Sequence, residues 1–343
     1  GQRVWQLLPL SPTSFGDSPY QSFSAFAGNP YFIDLDLLRR DGLLTAQECA
    51  DALAPAGKID YAALYETRLP LLQRAAECWD GGEELARFER EQGFWLADYA
   101  LFMAAKRHFS MRPWTQWEDG ALRLREPQKL EEYGNLLAGD ILFFKKLQCL
   151  FFRQWRALRE YCAERGLQLF GDLPIYVALD SADVWAAPED FLLDENRQPT
   201  AVAGVPPDAF TSEGQLWGNP LYNWEKMERD GFGWWIRRIG AARALFDLLR
   251  IDHFRGFESY WAVPAGAKTA REGAWHKGPG EKLVCALRSW FADFPLIAED
   301  LGELTPAVRE LLEKSGLLGM RVLEFAFDAE GDSPYQMHNY VKN

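Results

Sequence analysis

Three acidic residues stand at the carboxyl ends of short apolar runs. Asp172 closes Leu167-Gln168-Leu169-Phe170-Gly171-Asp172, Asp252 closes Arg250-Ile251-Asp252, and Glu299 closes Pro295-Leu296-Ile297-Ala298-Glu299. If these runs are strands of one parallel sheet, their carboxyl ends share a rim and the three side chains converge there. Convergent carboxylates support two chemistries. In the first, one carboxylate attacks an anomeric carbon while the other, kept protonated by its surroundings, gives a proton to the leaving oxygen of a glycoside. In the second, the group holds a magnesium ion, as in a metal-dependent barrel lyase using Asp172, Glu299 and Asp300. Residue type and spacing leave both open.

The elements that position these carboxylates follow a repeated grammar. Helical spacing over 151–164 stops at Gly166 before the first run; 234–249 leads into the second, 281–291 into the third, and 306–314 into Met320-Arg321-Val322-Leu323-Glu324-Phe325. Helix-then-strand units of this kind predict an α/β fold with a parallel sheet. No G-x-G-x-x-G follows any strand, which favours a TIM-type barrel over a dinucleotide-binding sheet. An N-terminal strand is predicted in Val4-Trp5-Gln6-Leu7-Leu8-Pro9-Leu10, followed by a loop rich in Ser, Gly, Pro and Tyr that reaches Pro30. Three regions result: a barrel strand with a substrate loop (1–35), a mostly helical insertion (36–150), and barrel units carrying the carboxylates (151–343). The hexapeptide Gly-Asp-Ser-Pro-Tyr-Gln occurs at 16–21 and at 331–336 with unrelated flanks, so it is read as coincidence.

Composition excludes several classes. The 343 residues are 48% hydrophobic and 25% charged, which is the balance of a globular chain with a full core. Thirty-seven basic against 50 acidic residues give a net charge of −13 with no basic cluster, so neither nucleic acid nor an anionic membrane is an expected partner. No apolar run approaches the ~20 residues needed to span a bilayer and no signal-peptide pattern opens the chain, which reads as cytoplasmic, or plastidial in a plant or alga. Five scattered cysteines without a CxxC pair, and four dispersed histidines without HExxH, fit no disulfide framework and no transition-metal site. No cofactor is expected. Aromatic residues make up 14% of the chain, most of them expected in the core.

The segments around the carboxylates break the tie between the two chemistries. Leu8 to Thr13, Gly16 to Tyr31, Trp95 to Phe102, Gly171 to Trp185, Val205 to Asp208, Gly214 to Tyr222, Arg250-Ile251-Asp252-His253-Phe254-Arg255-Gly256, Ala298-Glu299-Asp300-Leu301-Gly302 and 319–328 resemble, in order, the 4-alpha-glucanotransferases, the amylomaltase or disproportionating-enzyme group known as glycoside hydrolase family 77. The resemblance runs nearly from end to end. It implies a barrel of the alpha-amylase clan and an enzyme that moves alpha-1,4-glucan segments between maltooligosaccharides, or glucans derived from starch or glycogen, through a covalent glycosyl-enzyme.

Carried onto this chain, the family pattern makes Asp252 the nucleophile and Glu299 the general acid and base, with carboxyl groups about 5 to 5.5 Å apart as a retaining mechanism requires. Arg250, two residues before Asp252, is expected on the same side of its strand, holding that carboxylate ionised. Asp172 resembles a residue that binds sugar hydroxyls, Ser18 and Tyr20 the polar and stacking wall beside it, and Asp300, in the same matched segment as Glu299, is expected to bind the sugar as well. Trp217 resembles an acceptor-side sugar contact, with Gln215 and Phe210 of the same loop covering the cleft and excluding water. Phe15 and Tyr99 match an aromatic pair that forms a second glucan site in some family members, with Phe15 standing where a tyrosine is expected. His253, one residue past Asp252, is expected to face away from the barrel axis as a structural residue.

Two features depart from the pattern. The family's third catalytic aspartate follows a histidine, and no His-Asp dipeptide occurs in these 343 residues. Met337 stands where a proline is expected. The strands named leave a barrel with open edges, so the chain is read as part of a longer enzyme, lacking an N-terminal strand and the C-terminal part of the barrel, and this stretch alone is expected to turn over poorly. The alternatives carried forward are an alpha-glucan hydrolase and a non-catalytic glucan-binding protein.

Overall fold

The computed structural model describes residues 1–51, 57–208, 211–302, 304–327 and 335–340; for Asp51 and Phe15 it describes the backbone alone. Its strands are β1 (Val4–Gln6), β2 (Gln168–Leu173), β3 (Ala201–Val205), β4 (Gln215–Pro220), β5 (Leu248–Ile251), β6 (Ser259–Pro264), β7 (Ala274–Lys277), β8 (Leu296–Ala298) and β9 (Leu318–Gly319). Five of them form a parallel sheet in the order β1-β2-β5-β8-β9, and the other four an antiparallel sheet in the order β4-β3-β6-β7. The parallel order rises with the sequence and never reverses.

The inner parallel strands β2, β5 and β8 are short and mostly buried, whereas β1 and β9 at the edges of the sheet are largely exposed. Leu169, Leu249, Ile251 and Ala298 are fully buried, each larger side chain contributing about 1.5–3 kcal/mol relative to exposure. The helix Ala138–Glu164 packs on β2, and Gly233–Leu245 on β2 and β5. The helix Glu281–Trp290 turns Leu283, Val284 and Leu287 inward, the spacing of one helical face. Pro306–Ser315 starts where the Thr305 hydroxyl accepts from the Val308 N–H with Pro306 at the first position, and ends at Gly316 in the left-handed conformation (φ 64°).

Helices between residues 35 and 164 form the insertion, with Leu96–His108 and Ala138–Glu164 packed against each other. The latter helix runs unbroken through residue 150, so the expected boundary there falls inside one element. Two buried polar links tie the insertion to the strand-end loops. The Gln148 amide both accepts from the Gly28 N–H (2.7 Å) and donates to the Gly28 carbonyl (2.9 Å). Lys106 reaches Asp180 at 2.5 Å, with burial pulling its ammonium pKa down against that carboxylate.

The structure corrects the sequence reading at two places. The strand expected at 320–325 is instead β9 at Leu318–Gly319, followed by a single turn at Leu323–Ala326. The cause is Asp300: its carboxylate accepts the Met320 N–H (2.6 Å) and pairs with Arg321 (3.1 Å), diverting the chain from the ladder. The segment read as a covering loop contains β4, a member of the antiparallel sheet, which the helix-strand grammar did not anticipate.

Gly171, beside Asp172, admits no side chain because a Cβ there would lie 2.3 Å from the Phe246 ring. Gly171→Ala is therefore expected to lower stability by about 1–3 kcal/mol, the range for overpacking. In a Phe246→Leu background, where the ring is gone, the same substitution is expected to cost less; thermal melts of the four proteins measure both.

Candidate active site

The carboxyl ends of β2, β5 and β8 deliver the expected residues to one rim. Register places Asp172 opposite Arg250 and Ile251 opposite Ala298, so Asp252 and Glu299 leave adjacent strands side by side. The hydrogen-bond ladder continues into both: the Asp252 N–H donates to the Leu173 carbonyl (3.0 Å) and the Glu299 N–H to the Ile251 carbonyl (2.9 Å). Their backbones are as fixed as the sheet.

Arg250 joins two of the carboxylates. One nitrogen of its guanidinium lies 2.6 Å from Asp172 Oδ1 and the other 2.7 Å from Asp252 Oδ1. The i, i+2 relation on β5 puts Arg250 and Asp252 on one side of the strand, as expected. The remaining Asp172 oxygen, Oδ2, accepts the Tyr20 hydroxyl at 2.6 Å. The result is an unbroken chain Tyr20–Asp172–Arg250–Asp252. Its guanidinium fills the space between Asp172 and Asp252 that a bridging metal ion would need. Among the described residues, no group of three or more His, Cys, Asp or Glu is arranged to hold a metal.

Electrostatics follow from this crowding. Burial pushes the Asp252 carboxyl up to about 6; Arg250 opposes the rise, and the Asp172 and Glu299 carboxylates add to it. Burial pulls the Arg250 pKa down, but the Asp252 and Asp172 charges outweigh it and leave the guanidinium above its ordinary value. Burial and the Asp172 bond raise the Tyr20 phenol, which stays protonated.

Glu299 is held differently, by backbone amides. Its Oε2 accepts from the His253 N–H and its Oε1 from the Leu301 N–H, both at 2.9 Å. Asp300, the next residue, alternates to the opposite side. Its side chain is 1% exposed and engaged by Met320 and Arg321, so the expected sugar contact is corrected to a structural link between β8 and β9.

A cavity of about 480 Å³ opens beside these groups, lined by Ser18, Tyr20, Tyr176, Gln215, Trp217 and Asp252 among others. Trp217 leaves β4 with its Nε1–H donating to Gln215 Oε1 (3.1 Å), and its ring stands 6.2 Å from Tyr176 and 4.9 Å from His253. Ser18, Tyr20, Asp172, Gln215, Trp217, Arg250 and Asp252 are thus brought together. Phe210 lies outside the described residues, as does the Phe15 side chain. Tyr99 is buried at 1% exposure, its hydroxyl beside the Gln148 amide (3.4 Å); with no face toward solvent it cannot stack a sugar, and its part in a second glucan site is withdrawn.

Three contributors were not anticipated. Gln21 donates to Asn219 Oδ1 (3.2 Å) and to the Trp217 carbonyl (3.4 Å), and the Asn219 amide donates to the Val177 carbonyl (2.9 Å), so one amide pair joins the Tyr20 loop, β4 and the segment after β2. Both residues lie inside the matched segments, where they drew no attention because neither titrates. The third is His253. Alternation predicts an outward side chain only while the backbone is extended; His253 takes the left-handed conformation (φ 50°, ψ 48°), which turns its ring onto Trp217. Burial and Arg255 pull its pKa down to about 4, so the ring is neutral.

An α/β fold with carboxylates gathered at the carboxyl ends of parallel strands, beside an aromatic-walled cavity, is an arrangement suited to glycoside chemistry. The family model described as 4-alpha-glucanotransferase, glycoside hydrolase family 77, matches residues 1–343, and the chain belongs to that family of transferases acting on alpha-glucans. It is 50% identical to the 4-alpha-glucanotransferase of Thermus thermophilus over 99% of this chain and 68% of that protein. Identity to the 4-alpha-glucanotransferase of Streptococcus pneumoniae is 47%, over 97% and 67%. The solved structure of an amylomaltase from Streptococcus agalactiae in complex with acarbose superposes with a TM-score of 0.95 at 42% identity, over 99% of this chain and 70% of that one.

The Asp252 shift has a consequence for stability. A carboxyl held at about 6 when folded and near 3.9 when unfolded binds its proton more tightly in the native state, so stability is lost as pH rises from about 4 to 6. Asp252→Asn removes that cost. It is expected to raise stability above pH 6 by on the order of 2 kcal/mol, with the gain vanishing below about pH 4; denaturant unfolding across this pH range reads the difference.

Proposed function

We propose that Asp252 and Glu299 carry out a double displacement that moves an alpha-1,4-glucan segment from one maltooligosaccharide to another. Protonated Glu299 gives its proton to the glycosidic oxygen while an Asp252 oxygen attacks the anomeric carbon. The bond to the departing chain breaks and a glycosyl ester forms on Asp252. Glu299, now a carboxylate, takes the proton of an incoming glucan hydroxyl, whose oxygen displaces Asp252. Two inversions at one carbon return the alpha configuration. Arg250 orients both aspartates, Asp172 and Tyr20 receive the hydroxyls of the reacting sugar, and Trp217 with Gln215 forms the acceptor side.

The observation that carries this reading is the Tyr20–Asp172–Arg250–Asp252 chain opening onto the 480 Å³ cavity. It offers an ionised nucleophile, hydroxyl-binding groups and aromatic faces in one place, the set a neutral, ring-shaped substrate needs. The net charge of −13 supports a neutral glucan over nucleic acid or an anionic membrane as partner. Among the described residues no helix is long and apolar enough to cross a membrane, and we read the compartment as the cytoplasm, or the plastid in a plant or alga. The monotonic order β1-β2-β5-β8-β9 supports an arc of a (β/α)8-type barrel, since doubly wound sheets reverse their order at a switch point.

Incubation of the full chain with maltotriose is expected to yield glucose and a ladder of longer oligosaccharides, slowly, as expected of a stretch without the family's third aspartate. Shortening alone would favour a hydrolase, and binding with no product a glucan-binding protein. Asp252→Asn and Glu299→Gln are each expected to reduce transfer by about 10³-fold.

Because the nucleophile must be ionised, kcat/KM is expected to fall on the acid side through about pH 6, the value to which the Asp252 carboxyl is raised. Arg250 lowers that value, so Arg250→Ala is expected to move the acid limb to higher pH as well as reduce the rate; a pH–rate profile of both proteins tests the sign.

A further inference from the structure

His253 touches both the acceptor wall and the group read as acid and base. Its N–H donates to Glu299 Oε2, its ring meets Trp217 edge to face at 4.9 Å and 83°, and its carbonyl accepts the Gly256 N–H (2.9 Å) in the turn that follows. Gly256 keeps that turn closed: a Cβ there would stand 2.6 Å from Ile175 and 3.2 Å from the His253 ring. The left-handed conformation is what joins the contacts. An extended residue 253 would send its ring to the opposite side, and its N–H could not address Glu299 in the same way. A non-glycine residue in that conformation carries a conformational cost of its own and persists where its surroundings hold it, a situation concentrated at functional sites.

We propose that His253 is a positioning residue that couples Trp217 to Glu299, so that a sugar ring seated on Trp217 is sensed, through the imidazole and its backbone amide, at the carboxyl that must deprotonate the acceptor. The coupling favours a glucan over water as acceptor, because water has no ring to seat. This rests on the roles given above to Glu299 and Trp217. Backbone and ring make separable contributions. Glycine at 253 keeps the left-handed backbone and removes the ring; asparagine also tolerates that backbone; alanine loses the ring and resists the conformation.

The test compares His253→Gly, His253→Asn and His253→Ala with wild type in the full chain, using maltotriose as donor and glucose as added acceptor. All three are expected to raise the acceptor KM and the ratio of hydrolysis to transfer by about fivefold, the scale of one aromatic contact. Alanine alone is expected to lose a further tenfold or so in kcat, the scale of a left-handed backbone imposed on an L-residue. The ratio is read within one reaction and does not depend on how much of a variant folds. A wild-type ratio and acceptor KM in the glycine and asparagine variants would overturn the coupling, and so would an alanine kcat equal to that of glycine. Glu299→Gln is run alongside: if it retains transfer, the assignment of Glu299 fails, whereas a silent Glu299→Gln with unaltered His253 variants removes this inference alone.

Discussion

A single guanidinium organises the site. Arg250 lies between Asp172 and Asp252 with a short contact to each, and without it two carboxylates on neighbouring strands would repel one another. Its position follows from sheet geometry: the parallel register sets it opposite Asp172, and the two-residue period puts it on the face of Asp252. Burial still holds the Asp252 carboxyl well above its usual range. The carboxyl proposed as nucleophile is therefore held at the margin of ionisation, at a place where ladder bonds reach the backbone of Asp252 itself.

Glu299 is handled by another principle. Where Asp252 faces a fixed positive charge, Glu299 faces two backbone amides, from His253 and Leu301. The guanidinium opposes the rise that burial imposes on Asp252 without cancelling it. Both Glu299 oxygens are oriented by the backbone that follows β5 and β8. Two chemically similar side chains are thus held by different means.

Much of this was legible in the sequence. Acidic residues closing apolar runs marked Asp172, Asp252 and Glu299, and the i, i+2 rule placed Arg250 correctly, because a strand's side-chain period is rigid. What failed did so where the backbone leaves that period. His253 turned inward through a left-handed conformation, Asp300 turned toward β9 and ended the strand expected there, and Tyr99 vanished into the core of the insertion, where burial depends on contacts far apart in the chain. The antiparallel sheet went unseen because its strands are interleaved with the parallel ones and β3 is built of small residues without clear alternation. The Gln21–Asn219 bridge was hidden because amides carry no charge to draw attention.

That second sheet is assembled from two separate excursions, β3 and β4 departing between β2 and β5, β6 and β7 between β5 and β8. The tryptophan on β4 is therefore braced, through β3 and β6, by a hairpin that sets out a few residues past Asp252. The outer tip around residues 265–273 therefore bears on the wall proposed as the acceptor side without belonging to the parallel sheet. Relatives that differ in acceptor preference are expected to have diversified there, at a distance from the carboxylates themselves.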